Sequence, residues 1–172
     1  VSGEKEFVGR GVSYCAVCDG AFYKNKVVAV VGGGNSAIEE AMYLTKFASK
    51  VYVVHRRKEL RADKIIQERA FKNDRIEFVW DSVVKEIVGE NSVNSIILEN
   101  VKTEEQSSLP VDGVFPYIGI VPNVEDFSGQ LRQDKRGFII TDTTMATSVN
   151  GIFAVGDVRN TPLRQVITAA SD

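Results

Sequence analysis

The chain has 172 residues, 44% of them apolar, and a formal net charge of −2. That is room for one domain, or one domain and part of another, with no excess of positive charge to attract nucleic acid. The longest uninterrupted apolar run, Val27 to Val31, has a strand's length and is far too short to cross a membrane.

No charged-then-apolar leader marks the chain for secretion, and a cytoplasmic location is expected. The chain opens at Val1 with no initiator Met, and upstream sequence is expected. Lys26 to Val31 predicts a buried strand running into three glycines. From Asn35 to Phe47 apolar residues recur at helical spacing. Val51 to Val54 reads as a second strand. Asp63 to Phe71 reads as a helix with Ile65, Ile66, Ala70 and Phe71 inward. Ile76 to Trp80 reads as a third strand. Strand, helix, strand, helix, strand is a parallel doubly wound unit. Val83 to Val88, Ser95 to Val101 and Glu105 to Val111 follow as an inserted antiparallel meander, and Gly113 to Ile118 returns to a strand. Asn123 to Gln130 is loop-like. Gly137 to Thr141 and Gly151 to Val155 are strand-like, and a helix could begin near Leu163. The expected class is α/β: a Rossmann-like parallel sheet with helices on both faces and an inserted meander, plus an incomplete second α/β domain. The expected domains are 1–125 and 126–172.

Gly32-Gly33-Gly34-Asn35-Ser36-Ala37 fits GxGxxA between a strand and a helix, the context a dinucleotide site requires. The glycines permit close approach of a pyrophosphate, and the helix N-terminus offers free N–H groups. An NAD site usually carries Asp or Glu about 20 residues on, for the ribose 2′-OH. This chain has His55-Arg56-Arg57 and then Arg61. Arginine forks match a 2′-phosphate, so NADPH is favoured over NADH. His55 itself reads more as a spacer than as a contact.

Cys15 and Cys18 are the only cysteines. A disulfide three residues apart constrains the unfolded chain little, so the pair reads as redox-active or metal-binding. A structural zinc normally takes four ligands, and the chain offers one His and no further Cys. Zinc shared across a dimer stays open, as does a pair of inert buried thiols. Asp19 follows Cys18 and could move the proton that thiol exchange requires, or could simply be a turn residue before Gly20.

With these motifs in place the chain resembles the low-molecular-weight thioredoxin reductases. Gly9 to Gly20 is similar to their active-site signature. The glycine motif, His55 to Arg61, Ile118-Gly119 with Pro122-Asn123, and Thr147 to Asp157 follow in the family's order. The resemblance implies FAD, NADPH, a CxxC disulfide and a homodimer when the protein is full length. It implies hydride transfer from NADPH to flavin, then two electrons to the disulfide, then reduction of thioredoxin or a thioredoxin-like protein. Cys18 would face the flavin, Cys15 would attack thioredoxin, and Asp19 would be the acid/base. Gly156 and Asp157 match residues at the FAD, with Asp157 at its ribityl–phosphate region. Arg164 and Gln165 match residues near the flavin ring. In the family one domain rotates against the other.

Val17 stands where the family pattern has Thr, and Asn35 where Asp is frequent; Asn35 could cap the helix equally well. The resemblance implies that family members begin with a FAD domain, and residues 1–172 are expected to lack it. Residues 129–172 are then expected to be half a domain with unpaired strand edges, and the chain alone is expected neither to hold FAD firmly nor to turn over. The rival readings are the flavin subunit of an NADH-dependent alkyl hydroperoxide reductase, a non-catalytic NADPH-binding module, and a ferredoxin-dependent relative.

Overall fold

The computed structural model describes all residues, Val1–Asp172. The polypeptide divides into two compact units, Val1–Ile118 and Gly119–Asp172. This seam lies earlier than the expected 125/126. The reason is Val124, which is buried with Leu131, Ile139 and Ala154 and so belongs with the second unit's core.

In the first unit, helix α1 (Ala16–Asp19) precedes strand β1 (Val27–Val31), helix α2 (Asn35–Leu44), strand β2 (Lys50–Val54), helix α3 (Lys64–Phe71) and strand β3 (Ile76–Val79). Three further strands follow, β4 (Ser82–Gly89), β5 (Val93–Asn100) and β6 (Gln106–Pro110), and then β7 (Gly113–Pro116). The four-stranded sheet has the order β3-β2-β1-β7, and its pairs are all parallel. Strands β4-β5-β6 form the antiparallel meander expected from sequence.

Side chains on a strand alternate between faces, and the sheet uses both. Val28 and Val30 of β1, Val51 and Val53 of β2, and Phe115 of β7 join Ala16, Ala37, Ile38, Ala41, Leu44 and Ala70 in one cluster. Ala29, Val54 and Val114 point the other way, into a cluster with Val84, Ile87, Val93, Ile96 and Leu98. Continuous apolar runs such as VVAVV are what a parallel sheet covered on both faces demands.

The α/β class holds, with one correction. Helices α1 to α3 share a single face, and the meander fills the place given to helices on the other. The chain turns after β3 at Asp81, whose φ is +51°. The Asp81 carboxylate pairs with Lys102 at 2.9 Å, and its carbonyl accepts the Val101 N–H at 2.7 Å. The alternating apolar residues of β4 and β5 then lie directly on the sheet.

Ile65 and Phe71 are not inward: they are 60% and 53% exposed. Ala70 is the buried residue of α3, and Ile66 is partly buried beside it. The pair sits four apart on one helix face, and Ile65 and Phe71 lie about 100° to either side of it. Phe71 instead packs on Phe78, ring centroids 4.9 Å apart.

In the second unit the two strand-like segments make isolated bridges only, Ile139 with Gln133 and Arg159, and Ala146 with Phe153. Local side-chain bonds take the backbone donors. Asp134 Oδ1 accepts from the N–H groups of Arg136 and Phe138, and Asp142 Oδ1 from those of Thr144 and Ala146. A short helix, α4 (Val166–Ser171), ends the chain.

Candidate nucleotide cleft and redox pair

A cleft of about 360 Å³ opens at the C-terminal ends of the parallel strands. Val31, Gly32 and Gly33 line it from β1, Val54, His55, Arg56 and Arg61 from the end of β2 and beyond, and Tyr117 and Ile118 from beyond β7. The crevice beyond the carboxyl ends of such strands is where open α/β sheets bind ligands. Six of the residues singled out from sequence therefore meet at one place: Gly32, Gly33, His55, Arg56, Arg61 and Ile118.

Each glycine has its own task. Gly32 has φ +149°, and a Cβ there would sit 2.6 Å from the Tyr117 carbonyl oxygen and 2.9 Å from the Ala37 Cβ. Strand and helix thus approach too closely for any side chain at 32, or for a large one at 37. At Gly33 a Cβ would come within 2.5 Å of the His55 ring. At Gly34 it would meet nothing within 4 Å. Gly34 is the N-cap of α2, which has no side-chain cap. The first N–H groups of α2 lack intrahelical partners. An open cradle beside uncapped N–H groups fits a pyrophosphate.

Asn35 does not cap α2. Its Nδ2 donates to Asp63 Oδ2, and its Oδ1 accepts the Asp63 N–H, both at 2.8 Å. Asp63 is the N-cap of α3, so the two helix starts are tied together. Ser36 is exposed on the first turn of α2.

His55 is buried and its Nε2 lies 3.1 Å from the Glu59 carbonyl. Burial holds its pKa below the usual 6.5, opposed by the Glu59 carbonyl and reinforced by Arg61, Arg56 and Arg57. His55 is therefore a neutral strut under Gly33. The Arg61 and Ala62 N–H groups donate to the Gly33 carbonyl at 2.7 and 3.1 Å, which fastens the arginine loop to the glycine loop. None of Arg56, Arg57 and Arg61 enters an ion pair. Arg56 and Arg61 line the cleft; Arg57 is exposed and does not.

Cys15 and Cys18 are joined in a disulfide. Cys18 is exposed and Cys15 half-buried, which removes the reading as inert buried thiols. Cys15 is the N-cap of α1, and its Sγ accepts the Cys18 N–H at 3.1 Å. Asp19 is held in place: Ser13 Oγ donates to its Oδ2 at 2.7 Å, and Ser13 Oγ accepts the Cys15 N–H at 3.2 Å.

Ser13 and Tyr117 also belong to the site, although no sequence motif singles out either as a contact. Tyr117 lies directly after β7 and before Ile118-Gly119, a position from which a strand-tip residue must look into the crevice. Its hydroxyl accepts the Ala16 N–H at 2.9 Å. Burial is the main cause that pushes its phenol up to about 12. Glu40 of α2 is half-buried with its Oε2 unpartnered, and burial raises its pKa.

The remaining residues fall in the second unit. Gly156, at φ +71°, opens a tight turn and donates its N–H to Asp172 Oδ2 at 2.8 Å. Asp157 is exposed on that turn. The Arg164 guanidinium lies 4.1 Å from the centre of the Phe138 ring, and its Nη2 is buried without a partner. Gln165 caps α4 in a reciprocal pair with Thr168. Gly119 begins the unit at φ +124° with open space around it. The Arg164 Nε donates to the Asp157 backbone carbonyl at 3.4 Å, and its unpartnered Nη2 is a donor that a ligand with acceptor oxygens, such as a flavin, would satisfy.

No helix is long and apolar enough to cross a membrane. The sequence pattern of the family described as pyridine nucleotide-disulphide oxidoreductase matches residues 1–172. The chain is 53% identical over 173 residues to thioredoxin reductase of Bacillus subtilis, covering 100% of this chain and 55% of that protein. It is 52% identical over 172 residues to thioredoxin reductase of Listeria innocua, covering 99% and 54%. Among solved structures, thioredoxin reductase of Streptococcus pyogenes superposes with a TM-score of 0.85 at 55% identity, covering 100% of this chain and 56% of that one. The chain thus spans about half the length of the curated relatives it matches.

Proposed function

The chain belongs to the pyridine nucleotide-disulphide oxidoreductase family, and from that premise we propose that it supplies the NADPH site and redox pair of a thioredoxin-disulfide reductase. The observation that carries this reading is a cleft bearing unpaired Arg56 and Arg61 in the same compact unit as an exposed CxxC disulfide. The named relatives, all thioredoxin reductases, support it.

Gly32, Gly33 and Gly34, with the N–H groups of Asn35, Ser36 and Ala37, would seat the pyrophosphate, and Arg56 and Arg61 the 2′-phosphate. Gly156, Asp157 and Arg164, with Gln165 and Gly119 of the same unit, would contribute to a flavin site, and Ile118 would line the nucleotide cleft. Bound FAD supplies the step between a two-electron hydride donor and a disulfide acceptor. Cys15, as thiolate, attacks the thioredoxin disulfide and forms a mixed disulfide. Cys18, as thiolate, attacks the Cys15 sulfur and releases thioredoxin as a dithiol. Asp19, held by Ser13, would carry the proton lost or gained at Cys18. The same proposal includes a cytoplasmic location, where thiols stay reduced, and a homodimer at full length. The chain by itself is proposed to bind NADPH but neither to retain FAD nor to turn over.

Thiol exchange can be tested without flavin. The Cys18→Ser chain, chemically reduced and mixed with a mixed disulfide of thioredoxin, is expected to trap thioredoxin on Cys15, and Cys15→Ser to trap none. Cys18 is the more exposed residue, so trapping on Cys18 instead would reverse the assigned roles. Trapping on neither would remove thioredoxin as the acceptor.

A further inference from the structure

Tyr117 touches both halves of the candidate site. Its N–H donates to the Val31 carbonyl at 2.7 Å, and its own carbonyl lies against Gly32. Its backbone is therefore fixed at the tips of β1 and β7. From there the side chain reaches across to Ala16, the fully buried first residue of α1, and accepts its N–H at 2.9 Å. A buried N–H without a partner costs free energy comparable to a lost hydrogen bond. Cys15 is the N-cap of the four-residue α1, and Cys18 lies within it. A helix this short makes few bonds of its own, and its start must be held from outside. Two groups hold it: Ser13 binds the Cys15 N–H, and Tyr117 binds the Ala16 N–H.

We infer that Tyr117 is a positioning residue for the dithiol: its hydroxyl fixes the first turn of α1 so that the Cys18 N–H stays aimed at Cys15 Sγ. In the disulfide form the Cys18 N–H lies 3.1 Å from that sulfur, and on reduction the same N–H would face the Cys15 thiolate. A hydrogen bond to sulfur favours the thiolate over the thiol, and the thiolate is the form that exchanges. Loosening the turn therefore raises the Cys15 pKa and slows its attack near neutral pH. The phenol keeps its proton throughout the working range, so this support does not vary with pH. The inference rests on the redox reading of the Cys15–Cys18 pair.

The test uses reduced chain, with Tyr117→Phe compared with the parent. Two readouts are taken: amide hydrogen exchange at Ala16, and the rate of Cys15 alkylation by iodoacetamide against pH. The expected result is exchange at Ala16 faster by about tenfold or more, and a Cys15 profile moved to higher pH, with alkylation near pH 7 slower by about fivefold. A second variant, Ala16→Pro, removes the same donor from the other side. Proline is tolerated at the first helical position, and Cys15 is already in the extended conformation that a residue before proline prefers (φ −140°, ψ 97°). It must move the Cys15 profile in the same direction. Protected amides in β1 report that each variant is folded. An unchanged Cys15 profile in the folded variants overturns the inference, whatever Ala16 exchange does. If the parent disulfide cannot be reversibly reduced by a dithiol buffer, the redox reading fails first, and the two failures are distinct.

Discussion

The arginines after β2 carry the sharpest prediction, because the structure separates residues that the sequence presents as one cluster. Arg56 and Arg61 line the cleft and Arg57 does not. None of the three is in an ion pair, so no internal partner competes for their charge. A hydrogen bond to a charged group contributes about 1.5–3 kcal/mol. The cleft is open to water, which favours the lower end of that range, or about tenfold in affinity per arginine. Arg56→Ala with Arg61→Ala is thus expected to weaken NADPH by about a hundredfold. The 2′-OH of NADH carries no charge for a guanidinium to meet, and its affinity is expected to change by no more than about threefold. Arg57→Ala is expected to cost far less than either. The assay is calorimetric titration of both nucleotides at one fixed salt concentration, repeated at higher salt, where parent selectivity should shrink as charges are screened. Equal loss for both nucleotides would falsify the assignment of these arginines to the 2′-phosphate. A dominant effect at Arg57 would show that the cleft is misidentified.

The glycine loop makes a contrast between neighbours. Gly34→Ala meets no atom within 4 Å and should leave the urea-unfolding midpoint nearly unchanged, while its methyl fills the cradle and weakens both nucleotides by about tenfold or more. Gly33→Ala drives a methyl into the His55 ring and should destabilise the fold by about 1–3 kcal/mol, with partial recovery on adding His55→Ala. Asn35→Asp would set a second carboxylate at the 2.8 Å contact with Asp63; unfolding measured at pH 7 and pH 4 should show a loss that shrinks in acid. His55 has a folded pKa below its unfolded value of about 6.5, so the unfolded chain binds its proton first as pH falls. Its contribution is intact above about pH 6.5, erodes below it, and levels off once the folded pKa is passed. Replacing His55 with Gln should flatten that part of the stability profile, and an unaltered slope would contradict the account.

The sheet was legible because its strands are β-branched runs ended by turn residues, and because VVAVV followed by glycines leaves few alternatives. The meander was legible from its alternation. The face it covers was not, since a period of two says which residues are buried but not against what. Ile65 and Phe71 misled because apolar residues on an eight-residue helix exceed what one narrow face can bury. In the second unit, Gly137–Thr141 has strand composition, yet the Asp134 and Asp142 carboxylates fold the backbone into local turns. Asn35 looked like a cap from its place after Gly34, and only the tertiary approach of Asp63 reveals its partner. Tyr117 was hidden for the same reason. Its partner is Ala16, 101 residues earlier in the chain.

The pairing of β1 with β7 also bears on the expected order of assembly. Val28 meets Gly113 across the sheet, and everything from α2 to β6 is strung between them. Closing so long a loop is entropically slow and comes late. The part of the cleft lined by Tyr117 and Ile118, including the tyrosine that braces the disulfide helix, would arrive with that last strand. A newly made chain would therefore acquire its nucleotide pocket and its braced cysteine pair in a single event. Until then the cysteines would be accessible to oxidants without the support that disciplines their chemistry.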